Sequence, residues 1–214
     1  MAFIPFVLRT NKGAYMNKLL TMAFAAALIT ACAAPVSNES NEKTVFVTKA
    51  SFLSDMGGLA GADAKCQAEA DDPASIVPAG TYLPWLSDGI DSPDTRFTKS
   101  SHPYVLPDGT KIAENYTDLT DGSILHAVNV DATGAPVLGA QRFWTGTMTD
   151  GKAVQQFVAN VKKNSCNAWN GTTVYRAIAT IGITYKKTGE WTNYRQSLCN
   201  SLGTPKKRLT CFQQ

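Results

Sequence analysis

The cysteines constrain the possible folds of this chain more than any other feature of the sequence. One of the five, Cys32, closes an apolar run, and no Cys-x-x-Cys occurs. His102 and His126, the two histidines, lie far from any cysteine in sequence, so the short spacing of a structural zinc site is missing. If the chain is exported, an even number of remaining cysteines predicts two disulfides, with three possible pairings. Those remaining are Cys66, Cys166, Cys199 and Cys211.

The amino-terminal segment has the pattern of a secretory signal. A basic start is followed from Met16 by a Leu- and Ala-rich run that ends at Ala31 and is too short to cross a bilayer. Its end, Leu28-Ile29-Thr30-Ala31-Cys32, resembles a bacterial lipoprotein cleavage site. We predict that Met16 is the true start, that residues 1–31 are removed and that Cys32 is lipidated. The alternative is that Cys32 is only a small residue of a discarded signal.

Lipidation of Cys32 predicts attachment to a membrane, because more than one acyl chain gives stable anchoring. Ala33 stands where an Asp would mark retention at the inner membrane, so the resemblance favours the outer membrane, facing either the periplasm or the cell surface. No later segment is a candidate for a transmembrane helix. Residues 32–43 then read as the lipidated cysteine and a polar tether, and residues 44–214 as one domain.

Charge is distributed unevenly along the mature chain. Removing residues 1–31 takes away three cations and lowers the net charge from +3 to zero, which excludes a general polycation and gives no reason to expect a nucleic-acid partner. Residues 32–150 hold 7 basic and 16 acidic residues, whereas residues 151–214 hold 10 basic residues and one acid, Glu190. This asymmetry indicates an anionic partner. The alternative is that these charges are ordinary solvated surface.

Local patterns predict a mixed α and β domain. Residues 44–48 read as a strand, and residues 57–70 as an Ala-rich helix that turns Cys66 towards the core. Residues 81–146 alternate short apolar pieces with turns. The spacing of valines and Phe157 predicts a second helix over 152–163, and residues 174–212 read as strands and turns.

The order of these landmarks resembles the C-type lectin-like fold. A strand and a helix bearing Cys66 are followed by Phe143-Trp144-Thr145-Gly146, Trp191-Thr192-Asn193 and a final-strand cysteine. Residues 44–214 more closely resemble a bacterial domain of unknown function related to the endostatin-like branch of that fold. The motifs that carry this are Val45-Phe46-Val47-Thr48, Gly57-Gly58-Leu59-Ala60-Gly61-Ala62-Asp63-Ala64-Lys65-Cys66, Pro84-Trp85-Leu86-Ser87-Asp88, Leu119-Thr120-Asp121-Gly122 and Arg208-Leu209-Thr210-Cys211-Phe212.

The resemblance implies an α+β fold with mixed, mostly antiparallel sheets, one or two helices, many loops and two disulfides. It implies the pairs Cys66–Cys211 and Cys166–Cys199. Calcium-dependent lectins use a Glu-Pro-Asn or Gln-Pro-Asp loop and a Trp-Asn-Asp strand, and this chain has neither. The segment that would carry the zinc site of endostatin contains no histidine. We therefore expect no metal and no cofactor.

Catalysis finds little support in the sequence. Only His102 and His126 are candidate bases near neutral pH, and the cysteines are expected to be paired. His126 lies in an apolar run that favours packing. The carboxylates of Asp88, Asp91, Asp94 and Asp121 lie in turns, where Asp commonly bonds local backbone. We expect no enzyme, and an envelope glycan hydrolase ranks last among the alternatives.

Binding is the remaining class of function. Endostatin-like domains are associated with sulfated glycans and matrix proteins, so the resemblance implies a metal-independent, adhesin-like module for an anionic extracellular or cell-wall ligand. A structural protein that binds another envelope protein is the alternative. Trp144 and Trp191 are expected in the core, whereas Trp169 is left open between core and ligand. The candidate ligand-binding residues are Lys206, Lys207, Arg208, Arg195, Lys186, Lys187 and Trp169, with Lys162 and Lys163 as further cations.

Overall fold

The computed structural model describes residues 41–155, 165–171, 177–199 and 206–214. By internal contacts the chain separates into residues 1–38 and 39–214, and every described residue belongs to the second unit. The predicted signal, Cys32 and the tether up to residue 40 lie outside the described residues. The same holds for residues 156–163 of the predicted second helix, with Lys162 and Lys163. The start of that helix, residues 152–155, is not helical, because Ala153 pairs with Thr147 in a β-bridge.

Short strands and helices follow one another along the described ranges, as the alternation of apolar pieces and turns predicts. The strands are β1 (Lys43–Val47), β2 (Tyr82–Pro84), β3 (Tyr104–Val105), β4 (Lys111–Ala113), β5 (Arg142–Trp144), β6 (Ile178–Ile183), β7 (Arg195–Leu198) and β8 (Thr210–Gln213). The helices are α1 (Gly58–Ala70), α2 (Pro93–Arg96) and α3 (Tyr116–Leu119), and a short 3-10 helix covers Gly189–Trp191.

The strands form two sheets. The larger has the order β2-β8-β1-β3-β4, and the smaller has the order β5-β6-β7. Only the pair of β1 and β3 is parallel, and the other pairs within these sheets are antiparallel. Strand β1, rich in β-branched and aromatic residues, has its apolar residues fully buried and pairs directly with the last strand, β8, with Val45 opposite Phe212.

Helix α1 packs on the core through the face that its spacing predicts. Ala62 and Cys66 are fully buried, and Leu59 and Ala70 pack partly buried against the same cluster. Gly61 lies where the preceding loop crosses the helix, since a Cβ there would come within 1.8 Å of the Met56 carbonyl oxygen. The close approach therefore requires glycine at this position.

Both implied disulfides are confirmed. Cys66 and Cys211 join α1 to β8, with Cα atoms 5.6 Å apart, and Cys166 joins Cys199 at the end of β7, with Cα atoms 5.4 Å apart. The coarser fold prediction is also confirmed, since the domain is α+β with mostly antiparallel sheets and few helices.

All four tryptophans are fully buried, and they divide between two apolar clusters. Trp85 and Trp191 lie in one, whereas Trp144 and Trp169 lie in the other with the four cysteines. The prediction that Trp144 and Trp191 belong to the core is confirmed. Since Trp169 is buried too, its ring stabilises the interior instead of forming an exposed stacking surface.

Candidate anion-binding surface

The three consecutive cations at 206–208 do not form one continuous surface. Lys206 is exposed, Lys207 is only 2% exposed, and Arg208 is half-buried. Backbone bonds explain the alternation, because Lys207 pairs with Phe52 in an antiparallel bridge and Arg208 pairs with Phe143 in a parallel one. An extended segment that is bonded on both sides turns successive side chains to opposite faces.

The Arg208 guanidinium is bound by the protein itself. Its Nη1 donates hydrogen bonds to the backbone carbonyl oxygens of Thr48 and Lys49, just after strand β1. Arg208 thereby connects the segment beside β5 to the larger sheet. We therefore assign Arg208 to the structure of the domain and not to the exposed binding surface that the sequence predicts.

Lys207 occupies a desolvated position beside an aromatic ring. Its ammonium lies 4.0 Å from the centre of the Trp144 ring, within cation–π range. Burial, together with the nearby charges of Arg142 and Arg195, lowers the pKa of Lys207 to about 8. Three cations therefore lie near one another, with the least exposed of them held over Trp144.

Strand register explains how Arg142 and Arg195 reach this position. In the smaller sheet, Trp144 is opposite Ile181, and Ile181 is opposite Arg195. Residues directly opposite share a face, and so do alternate residues of one strand, which adds Arg142 to that face. Arg142, Trp144, Ile181 and Arg195 thus point to the same side of the sheet, the side on which Lys207 covers Trp144.

Arg142 is the residue of this surface that sequence reasoning missed. It lies in the acidic part of the chain, far in sequence from the other candidate cations. The available signal was the strand Arg142-Phe143-Trp144, in which the arginine shares a face with the tryptophan. Its Nε is buried and has no hydrogen-bond partner among the described residues.

The remaining candidate cations differ in their contacts. Arg195 is exposed, with its guanidinium 5.2 Å from the centre of the Tyr194 ring. Lys186 forms an ion pair of 2.9 Å with Glu190, and the hydrogen bond from that pair raises the pKa of Lys186. Lys187 is exposed, and its backbone carbonyl accepts a hydrogen bond from the Ile124 amide.

Trp169 ends an unusual turn. Four consecutive non-glycine residues, 166–169, have left-handed backbone angles, with φ between 48° and 63°. The turn starts at a disulfide cysteine and ends with the buried Trp169, whose Nε1 donates to the Ser87 carbonyl. The Trp169 carbonyl accepts hydrogen bonds from the amides of Met56 and Gly58, at the start of α1. Packing at both ends of the turn therefore offsets its conformational strain.

Among the described residues, the candidate catalytic side chains bind groups close to them in sequence or are exposed. Asp88 accepts hydrogen bonds from the amides of the next turn, as the sequence predicts, and Asp94 pairs with Lys99 at 2.6 Å. The expectation that His126 packs in an apolar run is wrong, since the residue is exposed and its Nδ1 lies 2.7 Å from the Lys111 carbonyl oxygen. Within the described ranges, no group of three or more His, Cys, Asp or Glu side chains could hold a metal ion.

Three of the surface cavities lined by described residues lie apart from these cations. One of about 270 Å³ lies beside Glu69. Burial raises the pKa of Glu69, although its carboxylate accepts hydrogen bonds from the backbone amides of Lys49 and Ala50. One of about 750 Å³ is bordered by α3, and one of about 410 Å³ is mostly apolar and lined by Leu138 and Tyr185. None of the three is lined by the cations on the smaller sheet.

The comparisons add no assignment. No protein-family model matches the chain, and no curated protein matches it significantly in sequence. Among the residues that the structure describes, no helix is long and apolar enough to cross a membrane.

Proposed function

We propose that this chain is a lipid-anchored envelope protein whose domain binds an anionic extracellular or cell-wall ligand without a metal. The ligand class is a sulfated glycan, an acidic surface of a matrix protein or an anionic cell-wall polymer. The anchor rests on the motif that ends at Cys32, and the absence of metal rests on the missing calcium and zinc motifs.

We propose further that the domain belongs to the endostatin-like branch of the C-type lectin-like fold. Three features support this relationship. The first and last strands pair as neighbours, a long helix follows the first strand, and a disulfide joins that helix to the last strand. Fold alone does not specify a ligand, so the functional proposal depends on the cations.

A set of cations without acidic partners carries the proposal. Among the described residues, Arg142, Lys187, Arg195 and Lys206 form no ion pair with a carboxylate. Glu190, the only acid after Asp150, is already paired with Lys186. Cations without internal neutralisation attract anions and raise their association rate.

Salt-titrated binding with charge-matched variants tests this function. We expect Arg195→Gln with Lys206→Gln to weaken binding of a sulfated oligosaccharide, because both residues are exposed and form no ion pair with any described residue. The control is Lys111→Gln with Lys152→Gln, which removes the same charge from lysines that lie in ion pairs outside this set of cations. Wild-type binding should weaken with salt and persist with a chelator. Equal loss in both variants would show that net charge, and not these particular cations, governs binding.

An apolar groove favours the second candidate, in which the domain binds another envelope protein. Leu138 is 78% exposed and Tyr185 is 51% exposed, and both line the groove of about 410 Å³. Large exposed apolar residues that border one groove are typical of protein contacts. Loss of a cross-linked partner in Leu138→Ser, with unchanged polyanion binding, would favour this candidate.

A further inference from the structure

We propose that Arg142 and Arg195, on either side of Lys207, form a site for one tetrahedral oxyanion, a sulfate or phosphate group. This site rests on the proposed function and names the chemical group that these cations recognise. It includes Arg142, which the pattern of charge along the chain does not single out.

The sheet brings the two guanidinium groups to one face. Neighbouring strands lie about 4.8 Å apart and residues rise about 3.4 Å along a strand, so the offset of two strands and two residues separates the Cα atoms of Arg142 and Arg195 by about 12 Å. Two long arginine side chains can close this separation around one anion. Trp144 and Ile181 lie between them on the same face and provide a rigid, buried floor.

No acid of the described ranges pairs with Arg142 or Arg195. Strands β5, β6 and β7 contain no Asp or Glu, and the only acid after Asp150 is Glu190. Glu190 is held by Lys186 at 2.9 Å, and neither Arg142 nor Arg195 forms an ion pair within the described part of the chain. Like charges brought together in this way repel one another until an anion neutralises them.

The hydrogen-bonding capacity of the Arg142 guanidinium also favours an anion at this position. The Arg142 Nε–H is buried without a hydrogen-bond partner in the described part of the chain, and an unsatisfied buried donor is costly. The planar guanidinium offers paired N–H groups that match sulfate and phosphate oxygens bidentately. The lowered pKa of Lys207 fits the same arrangement, because a nearby anion would favour its charged form.

The geometry of the site selects the ligand class. A carboxylate offers two oxygens in one plane, whereas a sulfate or phosphate group offers oxygens in several directions. Two guanidinium groups that approach from different strands, with an ammonium near both, therefore fit a tetrahedral oxyanion better than a planar carboxylate.

The test titrates the full-length protein, labelled with nitrogen-15, with inorganic sulfate at constant ionic strength. The arginine Nε–H signals report the site directly. We expect the Arg142 and Arg195 signals to move along one saturable curve, while those of Arg96 and Arg208 stay in place. Arg96 is paired with Asp63, and Arg208 with backbone carbonyls, so both serve as internal controls.

Variants separate the site from general charge. Arg195→Gln, at an exposed position, should weaken sulfate binding at least tenfold. Arg142→Lys keeps the charge but removes the paired N–H groups of the guanidinium, and should also weaken sulfate binding. The control, Lys111→Gln, removes one charge from a lysine that is paired with Glu114 and lies outside this set of cations, and should bind as the wild type does. Sulfate shifts that match those of chloride, or that spread over all arginines, would overturn the proposal.

Further probes distinguish a free oxyanion from one carried on a polymer, and they separate the oxyanion site from the proposed function. Inorganic phosphate tests the other free ion, and a sulfated hexasaccharide tests an ester carried on a polymer. Hexasaccharide binding that persists in Arg142→Lys and Arg195→Gln but is lost in Lys187→Gln with Lys206→Gln would refute this site and leave the proposed function standing. Saturable sulfate binding at both arginines without any polymer binding would support the site and contradict the proposed glycan function.

Discussion

The buried position of Lys207 predicts an unusual dependence of stability on pH. Its pKa falls from the ordinary 10.5 to about 8 in the folded protein. Between these two values the unfolded chain still holds a proton that the folded chain has lost. Because the unfolded state then binds more protons, the free energy of unfolding rises with pH across this window. Below about pH 8 both states are protonated, and the cost of burying the charge is fully present.

The size of the effect follows from the shift. A pKa lowered from 10.5 to about 8 corresponds to about 3 kcal/mol of destabilisation near neutral pH. About 2 kcal/mol of this should be regained between about pH 7 and about pH 9.5. The buried tyrosines act in the opposite direction only at higher pH. Burial raises the pKa of Tyr82 to about 12, and stability that depends on its protonated form is lost above about pH 10.

Urea unfolding of the full-length protein at several pH values measures this effect. The perturbation is Lys207→Met, which keeps an unbranched side chain over Trp144 and removes the titrating group. We expect the wild type to gain stability from about pH 7 to about pH 9.5 and the variant to lose that gain. Lys206→Met, at the exposed neighbouring position, should follow the wild type. Parallel curves for the wild type and Lys207→Met would refute the reasoning.

Three further predictions concern the disulfides, the left-handed turn and the anchor. Removing the Cys66–Cys211 bond by double alanine substitution should destabilise the domain by about 5 kcal/mol, and removing the Cys166–Cys199 bond should destabilise it by about 4 kcal/mol, because the bonds span 145 and 33 residues. Denaturant unfolding measures both losses, and the reverse order would contradict the chain-entropy account. Ala168→Gly should stabilise the domain by up to about 1 kcal/mol, since Ala168 has φ 55°. The control Ala64→Gly in α1 should destabilise it by about 1 kcal/mol in the same denaturant unfolding, and equal losses in the two variants would refute the strain assigned to the turn. Cys32→Ser should abolish labelling by radioactive palmitate and release the protein from membranes, and persistent labelling would contradict the lipoprotein motif.

Local sequence patterns predicted the elements that the nearby residue types largely determine. The run over residues 44–48 predicted β1 to within a residue at each end, and the spacing of Ala62 and Cys66 placed the buried face of α1. The pairing of the cysteines was of another kind, because spacing left three alternatives and only the resemblance to a known domain reduced them to one. The second helix failed at its described start because residues 147 and 153 pair across a tight turn, and this contact is not encoded by apolar spacing.

The candidate surface was predictable in charge but not in geometry. Sequence shows that residues 206–208 are all basic, but the side that each occupies depends on which strands the segment joins. Lys207 bonds to Phe52 on one side and Arg208 to Phe143 on the other, so the first is buried and the second is used for structure. Trp169 is buried by a left-handed turn in which three of the four residues, Cys166, Ala168 and Trp169, disfavour that conformation individually.

The same principle explains why a binding site can assemble from residues that no linear motif connects. A ladder fixes which side chains share a face, so Arg142 and Arg195 become neighbours through Trp144 and Ile181, although they are 53 positions apart in the sequence. If the site binds its anion as proposed, inversion of that face must remove binding without any change in charge. Exchanging residues 195 and 196, by Arg195→Gln with Gln196→Arg, moves the guanidinium to the opposite face of β7 while the composition stays constant. Retained sulfate binding in that variant would show that charge density, and not the register of the sheet, creates the site.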